Sequence, residues 1–347
     1  MTTPTTPTTP APTSALLGRH GAVEGEGPDA GVAAHYGDPM REQRLLAEGL
    51  ACVDLSHRGV VTVSGPDRLS WLHSITTQDL TGLGPRASRE SLVLSPKGHV
   101  EHALHLVDDG ETCWITVEPG TAGSLAAWLD SMRFMLRVEV ADVSHAWAVL
   151  GEPVRAESAE GEPLAWVDPW PGLVGDTVAY GPVEGHPGAG RPWRELLVPR
   201  GDLGAAVGDR PLAGTWAAEA LRVAAWRPRM GLDTDHRTIP HEVDWLRTAV
   251  HLHKGCYRGQ ETVARVHNLG RPPRRLVFLH LDGSGHVLPA AGAPVELEGR
   301  EVGRLTSVAR HHEDGPVALA VVKRSVAEDV DLLVDGIAAA QTVVVRG

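Results

Sequence analysis

Cysteine is scarce. Cys52, Cys113 and Cys256 are the only three in 347 residues, they lie far apart, and none belongs to a Cys-x-x-Cys pair. That excludes a disulfide framework and a zinc or iron–sulfur site preformed by the chain's own thiols, and it suits a reducing cytoplasm. No apolar run approaches the ~20 residues a helix needs to cross a bilayer, so no membrane partner is expected. Positive charge is in deficit: 32 Lys and Arg stand against 44 Asp and Glu, a net charge of −12. Nonspecific nucleic-acid binding is therefore not expected. No Gly-Lys-Ser or Gly-Lys-Thr follows a glycine turn, which removes the phosphate-loop reading.

What is present is an ordinary soluble composition, 42% hydrophobic and 22% charged, in a chain long enough for two or three lobes. Residues 1–32 open as a Thr/Pro repeat and continue Gly-rich. They lack both the basic start and the apolar middle of a secretory signal, and they are expected to be disordered. Met40 to Ala51 has the apolar stripe of a helix, and further helices are expected at Asp67–Ile75, Thr121–Met132 and Thr215–Trp226. Val60–Val63, Ser91–Ser95, His99–Val107, Cys113–Val117, Arg137–Val140, Ala146–Leu150 and Trp193–Val198 read as strands. His99, His102 and His105 alternate faces, and the first and last lie ~20 Å apart along a strand, so a three-ligand metal site there is not expected and no metal is assigned. After a hinge at Arg271–Arg275, six short strands separated by Gly and Asp turns predict a small antiparallel barrel.

The densest chemistry lies in Lys254-Gly255-Cys256-Tyr257-Arg258-Gly259-Gln260-Glu261-Thr262-Val263-Ala264-Arg265. Two glycines bracket the cysteine and allow a tight turn. A lone cysteine between glycines is often only a small buried hydrophobe. The crowding of Lys254, Arg258, Gln260 and Glu261 argues instead for a functional loop, whose cations would favour the thiolate. From Lys254 to Arg275 six basic residues face one acid, Glu261. That is a positive field suited to a small anion, or else a solvated basic turn.

The octapeptide Lys-Gly-Cys-Tyr-x-Gly-Gln-Glu resembles the signature of YgfZ-type folate-binding proteins, relatives of the glycine-cleavage T-protein aminomethyltransferase that act in iron–sulfur cluster assembly or repair. Asp54-Leu55-Ser56-His57-Arg58-Gly59 resembles the T-protein N-terminal region, with His57 either facing a ligand or structural. Gly231-Leu232-Asp233 and Ile239-Pro240-His241-Glu242 resemble a further T-protein run. The resemblance implies an α+β, T-protein-like three-lobed folate-binding fold with a C-terminal antiparallel β-barrel. The expected units are residues 33–270, divided near 150, and a barrel over residues 271–347. It also implies tetrahydrofolate in a central cleft, with Glu242 on the pterin and Arg265 on the tail carboxylates. Tyr257, Arg258 and Gln260 would stand nearby, and Cys256 with Lys254 would carry the chemistry at the cleft mouth. Iron–sulfur client or carrier proteins are the implied partners.

Two departures from the T-protein pattern matter. In Gly98-His99-Val100-Glu101-His102-Ala103-Leu104, the two acidic positions of the parent run have become His102 and Ala103, which removes the carboxylate set against the reacting nitrogen. The family tyrosine has become Met230. Three readings stay open: a folate-binding maturation factor, a folate-dependent one-carbon transferase, and a thiol-nucleophile enzyme using Cys256 without folate.

Overall fold

Period-two alternation along Val100–Asp108 sends Leu104 and Leu106 to one side and Ala103 and His105 to the other. In the computed structural model, which describes residues 12–154 and 161–346, this strand belongs to a five-stranded antiparallel sheet. The order is Ser88–Leu94, Val100–Asp108, Thr112–Val117, Gly59–Ser64, Glu139–Asp142. The helices Arg68–Ile75 and Ala122–Met132 cover its apolar face, where Val61, Leu104, Ile115, Leu72 and Leu125 are fully buried. Its other face is left for the rest of the molecule.

A second sheet runs Ala165–Val167, Trp193–Pro199, Trp147–Pro153, Cys52–Asp54, Leu212–Ala213, antiparallel except at the last pair. Cys52–Asp54 pairs directly with Trp147–Pro153, so all of the first sheet is inserted between two adjacent strands of the second. The expected division near residue 150 is corrected by this pairing. One lobe is residues 59–142, and the other is assembled from segments on both sides of it. The helices Pro39–Ala47 and Thr215–Ala224 pack on the second lobe through Leu46, Ala217 and Ala218.

The third lobe is the expected barrel. Six strands close it: Arg274–Leu281, Pro294–Leu297, Arg300–His311, Gly315–Lys323, Leu332–Val334 and Ile337–Val343. Val277, Leu279, Leu305 and Ala320 fill its interior. On the alternate positions Leu276, Phe278 and Leu319 turn outward and meet Trp245, Val263 and Leu92 in the core that joins the lobes.

The N-terminal segment differs from expectation. Residues 1–11 lie outside the described residues, but 12–32 are ordered. Val23–Glu24 pairs with Ala33–His35, Leu16 is buried, the Ser14 hydroxyl donates to Asp54, and Asp29 binds His57 at 3.1 Å and Arg229 at 2.8 Å. Composition pointed to disorder because the segment is poor in apolar residues. Buried polar pairs with distant residues hold it instead, and a local pattern does not show these.

Burial pushes the pKa values of His102, His186 and His241 down to about 4. All three are neutral in the fold, whereas the unfolded chain takes up protons below about 6.5. Stability is thus fully present above pH 6.5 and is lost as the pH falls toward 4. Urea unfolding at pH 7 and pH 5 should show this loss, and His241→Leu should reduce it by about 2 kcal/mol. An unchanged pH dependence in the variant would mean that His241 does not contribute.

Candidate functional site

Where the uncovered face of the first sheet meets the second sheet and the helix Thr215–Ala224, the chain leaves a cavity. Glu90, Ala103, His105, Thr116 and Glu118 line it from the first sheet, and Trp166, Trp193 and Glu195 from the second. Thr215, Glu219 and Arg222 come from the helix, Arg227 to Met230 from the turn after it, and Asp29, Arg58, Asp168, Arg191 and Trp245 add to the wall. The enclosed space is only about 60 Å³, well below the ~300–1,000 Å³ of typical small-molecule sites, so a ring enters it only as the walls move apart.

The walls carry an interlocked set of charges. Arg58 holds Glu195 at 2.8 Å and Glu118 at 3.0 Å. Arg229 holds Asp29 and Glu118 at 2.8 Å and Glu219 at 3.2 Å. Arg222 reaches Asp233 at 2.7 Å and Glu219 at 2.8 Å, and Arg227 reaches Glu90 at 2.7 Å and Asp168 at 3.2 Å. Glu195 also accepts from Thr116 at 2.8 Å and lies 3.1 Å from His105, whose ring stacks on Trp166 with centroids 3.7 Å apart. Burial alone would raise the pKa values of Asp29, Glu118, Glu195 and Glu219. The surrounding guanidiniums and hydrogen bonds more than offset it, and all four carboxyls are held below their ordinary range.

The polar atoms left without a partner on this wall are informative. Among the described residues, Arg58 Nε, Arg191 Nε, Arg227 Nη1, Trp245 Nε1 and the Thr215 hydroxyl are buried and unpaired. All five can donate. A buried donor without an acceptor is costly, so the cavity suits a ligand rich in acceptor atoms. The stacked His105–Trp166 pair and the indoles of Trp193 and Trp245 supply flat apolar surface beside them.

The residues singled out in the sequence lie elsewhere. Cys256 is a free, exposed thiol on its loop, and neither it nor Glu242 lines the central cavity. Lys254, expected to share the chemistry of Cys256, is tied to the backbone. Its ammonium donates to the carbonyls of Thr76 at 2.6 Å, Gln78 at 3.1 Å and His73, which uses all three of its protons to tie the loop to the end of the helix Arg68–Ile75. Burial lowers its pKa to about 8. Tyr257 is buried in the joining core, Arg258 pairs with Glu101 at 3.0 Å, and Gln260 begins the helix Gln260–Leu269. Lys254 and Arg258 thus both have partners of their own.

Glu242, expected on the pterin, stands apart from the central cavity. It is almost fully buried, and Arg274 donates to both of its oxygens at 3.0 and 2.8 Å. Glu242 with Arg265, Lys97 and His99 lines a separate groove of about 670 Å³. Of the two signature glycines, Gly259 has a steric reason and Gly255 stands in open space. Gly259 sits at φ +83°, and a Cβ there would stand 2.6 Å from the Ser95 carbonyl oxygen and 3.0 Å from the Gly98 Cα. His57 is a buried turn residue on Asp29, and His102 is half-buried on the side opposite His105. Among the described residues no three His, Cys, Asp or Glu side chains gather as a metal site.

Sequence reasoning missed Glu195, Arg58, Arg227 and Arg229. A single acid in the apolar strand Trp193-Arg194-Glu195-Leu196-Leu197 was the available signal for the first, and Arg-Pro-Arg-Met after the helix for the last two. Arg58 stood inside the motif whose histidine drew attention.

Comparison with known proteins places this geometry in context. The structure superposes on the glycine cleavage system aminomethyltransferase T of Bartonella henselae with a TM-score of 0.75 and 20% identity, covering 96% of this chain and 95% of that one. The fold is that of the aminomethyltransferases. Residues 18–151 match the GCVT N-terminal domain, and residues 274–344 match the C-terminal β-barrel domain of CAF17. Aminomethyltransferases of Moorella thermoacetica and of a Synechococcus strain are 27% and 29% identical over 84% and 86% of the chain, with the same shares of their own lengths covered. A chloroplastic candidate transferase of Arabidopsis thaliana is 26% identical over 80% of the chain, and the match spans 66% of that longer protein. The T-protein-like α+β fold with a closed C-terminal barrel, expected from the sequence, is the observed one. No described helix is long and apolar enough to cross a membrane.

Arg229→Met would strand Asp29, Glu118 and Glu219 without their shared cation. Urea unfolding should then show a loss of about 3–5 kcal/mol. A loss under about 1 kcal/mol would mean that the three carboxylates do not depend on it.

Proposed function

We propose that the chain binds a reduced folate, tetrahydrofolate or a one-carbon form of it, in the central cavity and serves iron–sulfur cluster assembly or repair without transferring an aminomethyl group. The observation that carries the folate reading is the set of unpaired donors beside flat aromatic walls and a buried carboxylate. A pterin presents a row of N–H groups that a carboxylate accepts, and Glu195 suits that edge. Its carbonyl and ring nitrogens would take donors from Arg58, Arg227 and Trp245, and its plane would lie against the aromatic walls. The ligand, when bound, brings a carrier for one-carbon units.

Ala103 argues against aminomethyl transfer. It lines the cavity, and the position that carries an acid in the T-protein run ends here in a methyl group. Asp29, Glu118, Glu195 and Glu219 are held ionised by arginines, which makes them poor proton acceptors near neutral pH. The chain's likeness to aminomethyltransferases favours the transferase reading, and the missing acid weighs against it.

The iron–sulfur part of the reading is supported by the Lys254–Glu261 signature, the CAF17-type barrel match and an exposed free thiol at Cys256. Cys52 and Cys113 are buried, and burial pushes both thiols up, Cys52 to about 11. Cys256 is therefore the thiol open to exchange with a client or carrier protein, and a reducing compartment such as the cytoplasm would keep it free.

Calorimetry with tetrahydrofolate should show binding to the wild type, a loss of about tenfold or more with Glu195→Gln, and no change with Glu242→Gln. No wild-type binding would leave only the thiol reading. Methylene-tetrahydrofolate formation from an aminomethyl carrier should be absent, and real turnover would favour the transferase reading instead. Cys256→Ala should melt and bind folate as the wild type does yet fail to restore iron–sulfur enzyme activity in cells lacking the protein. Full restoration would remove Cys256 from the function.

A further inference from the structure

We propose that Arg191 anchors a carboxylate of the ligand's tail at a neck between the central cavity and a second, outer pocket through which the tail leaves. The inference rests on the folate reading of the central cavity. Arg191 and Trp193 are the two side chains common to the walls of both spaces. The outer pocket holds about 510 Å³. It lies between the end of the helix Pro39–Ala47, the end of the helix Thr215–Ala224 and the barrel turn at His311–Asp314.

Arg191 is the under-paired cation of the site. Arg58, Arg222, Arg227 and Arg229 each hold a carboxylate at 2.7 or 2.8 Å. Among the described residues the carboxylate nearest to Arg191 is Asp168, 3.6 Å away, which already receives Arg227 at 3.2 Å. Its Nε has no partner among the described residues. What fixes the guanidinium is the indole of Trp193, 4.4 Å from its centre. Stacking orients the group but leaves its in-plane donors unused. A largely buried guanidinium in that condition is matched by a carboxylate that takes two of its N–H groups side by side.

Position decides which carboxylate. Glu195 and the stacked His105–Trp166 pair, which suit the ring, line the central cavity and not the outer pocket. Arg191 stands on the boundary between the two. In a folate the tail carboxylates lie at the end opposite the pterin, so a ring held against Glu195 sends its tail toward the neck. Arg265, the residue expected from the sequence for this task, is exposed on a separate groove and cannot take part.

The test compares tetrahydrofolate with 6-methyltetrahydropterin, the reduced ring without a tail, by calorimetry. The proteins are wild type, Arg191→Gln, Arg191→Lys and Ala47→Trp, which fills the outer pocket from an exposed helix position. Arg191→Gln should weaken tetrahydrofolate by roughly tenfold to a hundredfold and leave the tail-less ring unchanged. Arg191→Lys should recover part of the loss, and Ala47→Trp should weaken tetrahydrofolate alone. Equal weakening of both compounds by Arg191→Gln, or of neither, would overturn the tail anchor while the folate site stands. A wild type that binds neither compound would remove the folate reading and the anchor with it.

Discussion

The arginine–carboxylate lattice around Arg229 is the constraint on which the rest of the molecule depends. Arg229 joins three parts of the chain: Asp29 from the N-terminal segment, Glu118 at the end of a strand of the first sheet, and Glu219 from the helix Thr215–Ala224. Arg58 and Arg222 extend the lattice to the second sheet and to the barrel, where Ser307 accepts from Arg222 at 2.7 Å. Buried ion pairs of this kind add little net stability over apolar packing of the same volume. What they provide is register. Each lobe has its own apolar core, and the charges determine how the lobes meet around a polar space.

This explains why a −12 chain hides so many arginines. Ligand recognition needs fixed donors in a medium where water cannot compete, and such donors persist only when most of their valences are held by carboxylates. The cavity therefore combines satisfied pairs, which set the geometry, with a few unsatisfied N–H groups, which are free to meet an acceptor. The same pairing leaves the carboxylates too acidic for proton transfer.

Much of the architecture was legible in the amino-acid order. The alternation of Val100, His102, Leu104 and Leu106 marked a sheet strand, Pro228 marked the end of a helix, and the Gly- and Asp-bounded runs after Arg274 marked the barrel. The site was less so. Lys254, Arg258 and Glu242 are polar residues crowded in sequence, yet each spends its charge on a partner far along the chain, at Thr76, Glu101 and Arg274. The side chains that do line the cavity, from Asp29 to Trp245, are dispersed singly among apolar neighbours, and only the topology gathers them. The order in residues 12–32 was hidden for the same reason, since its anchors Asp54, His57 and Arg229 are remote.

The insertion of the first sheet between Cys52–Asp54 and Trp147–Pro153 has a temporal consequence. A ribosome emitting this chain releases the first sheet whole before the partner strand of Asp54 exists, and the last wall of the cavity, Trp245, comes some two hundred residues after Asp29. The cavity thus has no partial form in the nascent polypeptide. A metabolite that lodges there meets only chains in which nearly every segment has docked, so its occupancy stabilises the finished molecule and no earlier stage of synthesis.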